Sequence, residues 1–296
     1  MTSLTPPCSD VAVEALPGTA KTGSTYVLFE WPGAWSRDVL DGGTFGEELT
    51  NKLKAHVERY NATLLLIRHS TREARQITDH HVYLVFADQG ITEVLHVDGP
   101  EDVLDLDLSG VGKNGAKLRT TPLLLICTHG KRDTCCAVKG RPLVNELRRG
   151  DEVWETSHIK GHRFAPTMML MPWAFSFGHM SREATSAMLD HAEDGLFFVP
   201  GNRGRGTLTP PEQTAEIAVA AELSHQGIKV GIDQLQVRID ANGNDPTATV
   251  TVIDRDTGHQ FEVKLRQKDI EGVVDSCGKA PKTGKGWVVD TITPDR

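Results

Sequence analysis

At 296 residues, 39% hydrophobic and 24% charged, the chain can bury a substantial core and has room for two structural units of the usual ~150 residues. A formal net charge of −8 and a pI near 5.8, with no basic stripe longer than a few residues, argue against a dedicated nucleic-acid binder. No run approaches the ~20 apolar residues of a membrane span, and MTSLTPPCSD has neither a basic n-region nor an apolar h-region. Five cysteines in a chain of this length suit a reducing, cytoplasmic compartment better than a secreted disulfide framework.

Residues 1–117 read as an α/β unit. Tyr26-Val-Leu-Phe-Glu30 is an apolar strand, Phe45 to Tyr60 carries an amphipathic helical pattern, and Ala62 to Ile67 and His81 to Phe86 are further strands. An acidic connection, Asp98 to Asp107, closes the unit.

Residues 118–229 form a second unit. Thr121-Pro-Leu-Leu-Leu-Ile126 is an apolar run of strand length that predicts a buried strand delivering Cys127 at its C-terminal edge. Eight residues, THGKRDTC, separate Cys127 from Cys136; with Gly130, Asp133 and two adjacent cations they predict a loop able to curl round an ion. Ala137 to Arg149 has helical character, with Leu143 and Leu147 at i and i+4, arginines in the last turn and Gly150 as a stop. A short strand, Glu152 to Thr156, leads into a loop that Gly161 and Pro166 keep from being helical. Strands at Thr167 to Pro172 and Ala174 to Gly178 precede a helix, Arg182 to Glu193, capped by Ser181. The order β, loop, α, β, loop, β, β, α is thioredoxin-like.

Pro200-Gly-Asn-Arg-Gly-Arg-Gly206 is a Gly/Arg loop without the Lys-Ser/Thr of a phosphate-binding P-loop, so its arginines are expected to pair with carboxylates. A helix from Thr209 to Gln226 follows, with Pro210 early and Glu212 at capping-box spacing. Residues 230–296 read as a small antiparallel extension covering an edge of the main sheet. Its elements are Gln234 to Ile239, an Asn242-Gly243 turn, and Ala248 to Ile253 paired with Gln260 to Leu265 through Asp256-Thr-Gly258.

Chemistry concentrates between Cys127 and Arg163, where three of the five cysteines and the pair His158 and His162 fall within 37 residues. Thiolate and imidazole are the ligands of iron–sulfur clusters, zinc and copper, so two such groups from each of two neighbouring loops point to one metal centre. On these residues alone a cluster, a zinc Cys2His2 site and a metal-free loop stand level, although the Cys insert is longer than the usual zinc spacing. The vicinal Cys135-Cys136 pair lacks the Cys-x-x-Cys spacing of thiol-disulfide exchange. His129, Lys131, Arg132, Lys160 and Arg163 form either a docking patch for an acidic electron partner or solvated loops. Cys8 and Cys277 read as ordinary cysteines of the terminal segments, and Trp154, Trp173 and Phe164 as packing residues.

The stretches CTHGKRDTCCAVKGRPL, VWETSHIKGHRFAPTMMLMP and RGRGTLTPPEQTAE, with Cys8-Ser-Asp10, LPGTA, YVLFEWPGAW and Ser276-Cys277-Gly278, resemble the sucrase/ferredoxin-like proteins, a branch of the thioredoxin-like ferredoxins. The resemblance implies a [2Fe–2S] cluster held by two Cys and two His, a pattern that falls on Cys127, Cys136, His158 and His162. Cys135, His129, Lys131, Lys160 and Arg163 would then surround it. One position departs: the family's His-x-Gly-Gly-His is His158-Ile-Lys160-Gly-His162 here.

The implied protein is a soluble, cytoplasmic one-electron carrier between an unidentified redox donor and acceptor rather than an enzyme with its own substrate. Two imidazoles in place of thiolates raise the potential, from about −400 mV in all-Cys plant-type clusters to roughly −150 to +300 mV in Rieske centres, and their outer N–H groups allow proton coupling. The alternative reading is a zinc-stabilised structural or interaction protein. A sucrose-cleaving hydrolase, which the family name suggests, needs a carboxyl pair ~5 to 9.5 Å apart, and neither a carboxylate motif nor a stripe of aromatics supports it.

Overall fold

The computed structural model describes residues 6–147, 149–239 and 246–295. In the first half, β1 (Thr25–Glu30) is followed by α1 (Glu47–Arg59), β2 (Ala62–Arg68), β3 (His80–Phe86), β4 (Ile91–Val97) and the short β5 (Lys117–Arg119). The second half runs β6 (Leu123–Cys127), α2 (Thr134–Leu147), β7 (Val153–Thr156), β8 (Thr167–Met171), β9 (Phe175–Gly178), α3 (Arg182–Glu193), β10 (Asn202–Arg205) and α4 (Pro210–His225). All ten strands share one mixed sheet, in the order β10-β9-β8-β6-β7-β2-β1-β3-β4-β5.

The two halves repeat one connectivity. Strand, helix and parallel strand (β1-α1-β2; β6-α2-β7) are followed by a hairpin whose first strand lies antiparallel to the opening strand (β3-β4; β8-β9). They are stitched where the C-terminal ends of β2 and β7 overlap antiparallel, Ile67 opposite Thr156 and Arg68 opposite Glu155. At this seam the buried Arg68 guanidinium donates through Nε and Nη2 to Glu155 Oε2 at 3.0 and 2.9 Å, and Thr128 Oγ1 donates to the same oxygen.

Alternation along the strands divides the core. Val27 and Phe29 of β1 join Leu64 and Leu66 of β2 beneath Leu53 and Val57 of α1. Tyr26 and Leu28 point the other way and meet Leu123, Leu125 and Cys127 of β6, with Trp154 and Met169, in a layer shared by both halves. On the opposite face, Leu124 and Ile126 pack with Leu143 and Val144 of α2 and Met188 and Leu189 of α3. Cys127 thus ends a strand buried on both faces.

Local sequence accounts for the ends of the helices. Ser181 Oγ accepts the Ala184 N–H at 3.2 Å, and Glu212 accepts the Thr209 N–H at 2.9 Å in a capping box. The helix expected from Ala137 begins at Thr134, because Asp133 Oδ1 accepts the Cys135 N–H at 2.9 Å and so starts the first turn three residues early. Both vicinal cysteines therefore lie on the helix rather than in the preceding loop. It ends at Leu147 and carries Pro142 inside it.

The C-terminal extension is a separate antiparallel sheet of β11 (Leu235–Ile239), β12 (Thr247–Asp254), β13 (Gln260–Val273) and β14 (Lys282–Pro294). Its inner residues Val250, Val252, Val263 and Leu265 pack in one cluster with Ala215, Val219 and Leu223 of α4, so the extension covers that helix rather than lengthening the main sheet. The expected Asn242-Gly243 turn lies outside the described residues. The expected Gly/Arg loop is largely a strand, β10, paired with β9 through a bulge at Asn202/Gly204.

Candidate metal centre

Cys127 is carried to the centre by β6 and Cys136 by the first turn of α2. The two elements meet closely because Gly140, one turn further along α2, lets the helix rest on the Cys127 carbonyl: a Cβ there would stand 2.2 Å from that oxygen. Ser157 fixes the start of the histidine loop, its N–H bonding to Leu66 O at 2.8 Å and its Oγ accepting the Leu66 N–H at 3.0 Å. His158 follows directly. The ligand atoms of Cys127, Cys136 and His158 all lie within 4.8 Å of one another.

His162 stands beside this trio, its ring centroid 5.1 Å from that of His158. The loop reaches it through two left-handed residues, Lys160 at φ +69° and Gly161 at φ +80°. Lys160 thus occupies the conformation that a glycine would hold freely, which accounts physically for glycine at this position in the resembling family. Gly161 is pressed against the Arg203 guanidinium, 2.4 Å from where a Cβ would sit. Arg203 is fully buried beneath the loop and donates to Thr19 O and Thr19 Oγ1; burial lowers its pKa to about 9. The second arginine of the segment behaves as expected: Arg205 pairs with Glu216 at 2.6 Å and with Asp233 at 3.2 Å.

The trio is electrically prepared for a cation. Cys127 and Cys136 are completely buried. Hydrogen bonding from Cys136, with a further contribution from His158, holds the Cys127 thiol well below its usual range, while Cys136 is pushed up as its partner. Both ring nitrogens of His158 are buried without an oxygen or nitrogen partner, the Cys127 sulfur being the group within their reach, and Nδ1 of His162 is buried and unpartnered. Buried ring nitrogens with no oxygen or nitrogen partner pay desolvation with little return unless something else binds them, so this donor set fits a thiolate- and imidazole-loving metal group.

The other basic residues of the region diverge. His129 donates from Nε2 to Ser36 O at 2.7 Å and stacks edge-on to Trp35, and burial lowers its pKa. Arg163 forms a forked pair with Glu14, at 2.5 and 2.9 Å, over the Phe164 ring. Lys131 and Lys160 are exposed. Cys135 turns away from the trio toward Cys277 Sγ at 3.2 Å and Cys8 Sγ at 3.6 Å, with Asp133 alongside. Sequence reasoning did not bring these residues together: Cys8 and Cys277 are 269 residues apart, and no local spacing connects them. The signals available were Asp133, placed in the loop before the predicted helix, and the terminal segments Cys8-Ser-Asp10 and Ser276-Cys277-Gly278 among those resembling the family.

The protein is thus a mixed α/β fold in which a strand end, a helix start and an adjacent loop bring Cys127, Cys136 and His158 together, with His162 beside them. Residues 16–204 match the family described as Sucrase/ferredoxin-like, and the chain belongs to that family. No curated protein and no solved structure matches the chain. No described helix is long and apolar enough to cross a membrane.

Proposed function

We propose that the protein carries single electrons on a [2Fe–2S] cluster held by Cys127, Cys136, His158 and His162. The observation that carries this reading is His158, whose two ring nitrogens are buried with no oxygen or nitrogen partner and lie within ligand reach of two adjoining thiols. When bound, the cluster supplies one reversible electron. The thiols close the inner side of the site, being fully buried, while His158 and His162 are part-exposed residues whose ligating nitrogens are buried. His158 borders a cleft of about 260 Å3 that Lys21, Asp38, His129 and Lys160 also line. A partner protein would approach on this side.

Nδ1 of His162 is free to ligate, and its Nε2 lies 2.7 Å from Ser276 Oγ and 3.6 Å from Asp133 Oδ2. That second nitrogen can therefore hold a proton with a carboxylate close by, the arrangement by which a ligating histidine is oriented and its basicity tuned. Imidazole ligation also removes ligand charge, so the potential should lie above the all-thiolate range and fall as pH rises.

The test is protein-film voltammetry of the protein and of His158→Cys and His162→Cys from pH 6 to 10. Histidine ligation predicts that either variant keeps a cluster at a potential lower by on the order of 100 mV or more, with a shallower pH slope. Identical voltammetry in all three proteins would exclude it, as would a wild-type protein without acid-labile sulfide.

A further inference from the structure

Three cysteines converge where the chain's terminal segments meet α2. Cys8 comes from a short 3-10 turn, Cys8–Asp10, Cys135 from the first turn of α2, and Cys277 from the segment between β13 and β14. Their sulfurs form a triangle with sides of 3.2, 3.5 and 3.6 Å. Asp133 sits over it, its oxygens 3.3 Å from Cys277 Sγ and 3.8 Å from Cys8 Sγ. All four residues offer ligand atoms within 4.8 Å of one another. From these contacts we propose a second metal site, in which Cys8, Cys135, Cys277 and Asp133 bind one zinc ion that ties both terminal segments to the helix bearing Cys136.

The geometry favours a single tetrahedral ion. A Zn–S bond of about 2.3 Å puts neighbouring thiolates roughly 3.8 Å apart, and a carboxylate oxygen slightly nearer. The observed separations of 3.2–3.8 Å match that size. They are far longer than a disulfide bond of about 2.05 Å. Three mutually touching thiols, moreover, cannot be paired off by oxidation, since one is always left over. The set is closed, with Cys8, Cys135 and Asp133 buried and only Cys277 part-exposed, as structural rather than catalytic zinc sites are.

Simple packing explains the site less well. Free cysteines do serve as small apolar core residues, but here a carboxylate with 2% exposure is placed among them. Asp133 accepts the N–H groups of Cys135 and Cys277, at 2.9 and 3.0 Å, which aims it at the sulfurs and leaves its charge to be neutralised. Cys8 and Cys277 lie outside the matched residues 16–204, although the short segments around them, Cys8-Ser-Asp10 and Ser276-Cys277-Gly278, are among those that resemble the family. The site also adjoins the first centre: Ser276, which contacts His162, is the neighbour of Cys277.

The test counts zinc, iron and acid-labile sulfide per chain in the anaerobically purified full-length protein and in Cys8→Ser, Cys277→Ser and Cys127→Ala. The proposal predicts one zinc per wild-type chain, lost by at least five-fold in the first two variants and retained in the third. Iron and sulfide are counted separately, so a failure of the electron-carrier reading shows as absent sulfide whether or not zinc is bound. Because a serine variant can misfold, the wild-type protein is also examined at the zinc K-edge. Three sulfurs near 2.3 Å with one oxygen near 2.0 Å support the site. A two-sulfur, two-nitrogen shell, zinc that survives Cys277→Ser, or a Cys135–Cys277 disulfide in the non-reduced protein overturns it.

Discussion

Replacing Gly140 by Ala isolates the contact that brings the two thiols of the first centre together. Gly140 lies four residues after Cys136, hence on the same face of α2, and that face rests on the end of β6. The added methyl would stand 2.2 Å from the Cys127 carbonyl oxygen, 3.2 Å from its carbon and 3.4 Å from Thr128 Cγ2. Restoring ordinary contact requires α2 and β6 to part by about 1 Å, and the obstructing atoms are backbone that cannot rotate aside. Intrinsic helix propensity alone would stabilise the variant by ~1 kcal/mol. Overpacking against a rigid wall costs ~3 kcal/mol, at the upper end of the usual range, so the expected net effect is a loss of ~2 kcal/mol. Urea denaturation should show that loss, and iron per chain should fall at least two-fold, since Cys127 and Cys136 ride on the separated elements. A variant more stable than the parent by ~1 kcal/mol, with iron unchanged, would refute the packing argument.

Three further outcomes are expected. Arg68→Met leaves the Glu155 carboxylate, 4% exposed, without its ion-pair partner at the seam between the halves and should cost ~3–5 kcal/mol; Arg68→Met/Glu155→Leu should recover most of it, and a single-variant loss below ~1 kcal/mol in guanidinium titration would contradict the role assigned to the pair. Lys160→Gly should relieve the left-handed conformation and stabilise the chain by ~1 kcal/mol with metal content intact, whereas destabilisation would show that the lysine side chain matters more than its backbone. His56, in α1, has a pKa lowered chiefly by burial, so the unfolded chain takes up more protons as pH falls below the ordinary value of 6.5, and the stability held by the neutral ring is lost from there toward its folded pKa. His56→Gln should flatten the stability profile as pH falls below 6.5, and an unchanged slope would assign that acid sensitivity elsewhere.

The strand-loop-helix junction that carries Cys127 and Cys136 was legible because an apolar run with a clear end, a polar insert and a helical stripe are local signals. The strands at Thr25, Ala62, His80, Thr167 and Phe175 were legible for the same reason. Ile91–Val97 was missed because its inner face carries Glu93, buried and accepting the Gly112 N–H at 2.6 Å, which breaks the alternation. Lys282–Pro294 was missed because it holds two glycines and a proline and is stabilised by its long pairing with β13 rather than by its own pattern. The repeat of connectivity between the halves left no trace in residue identity, since sheet topology constrains only which positions are apolar. Convergence of Cys8, Cys135 and Cys277 depends on where the chain's two terminal segments return in space, which no spacing rule encodes.

The central claim is that Cys127, Cys136, His158 and His162 hold a redox-active cluster. Its most direct test is anaerobic purification followed by iron and acid-labile sulfide analysis, with an electron paramagnetic resonance spectrum before and after dithionite. Two irons and two sulfides per chain, silent as oxidised and giving a low-average-g signal on reduction, is the predicted result. Absence of sulfide, with zinc bound by Cys127 and Cys136, would contradict it.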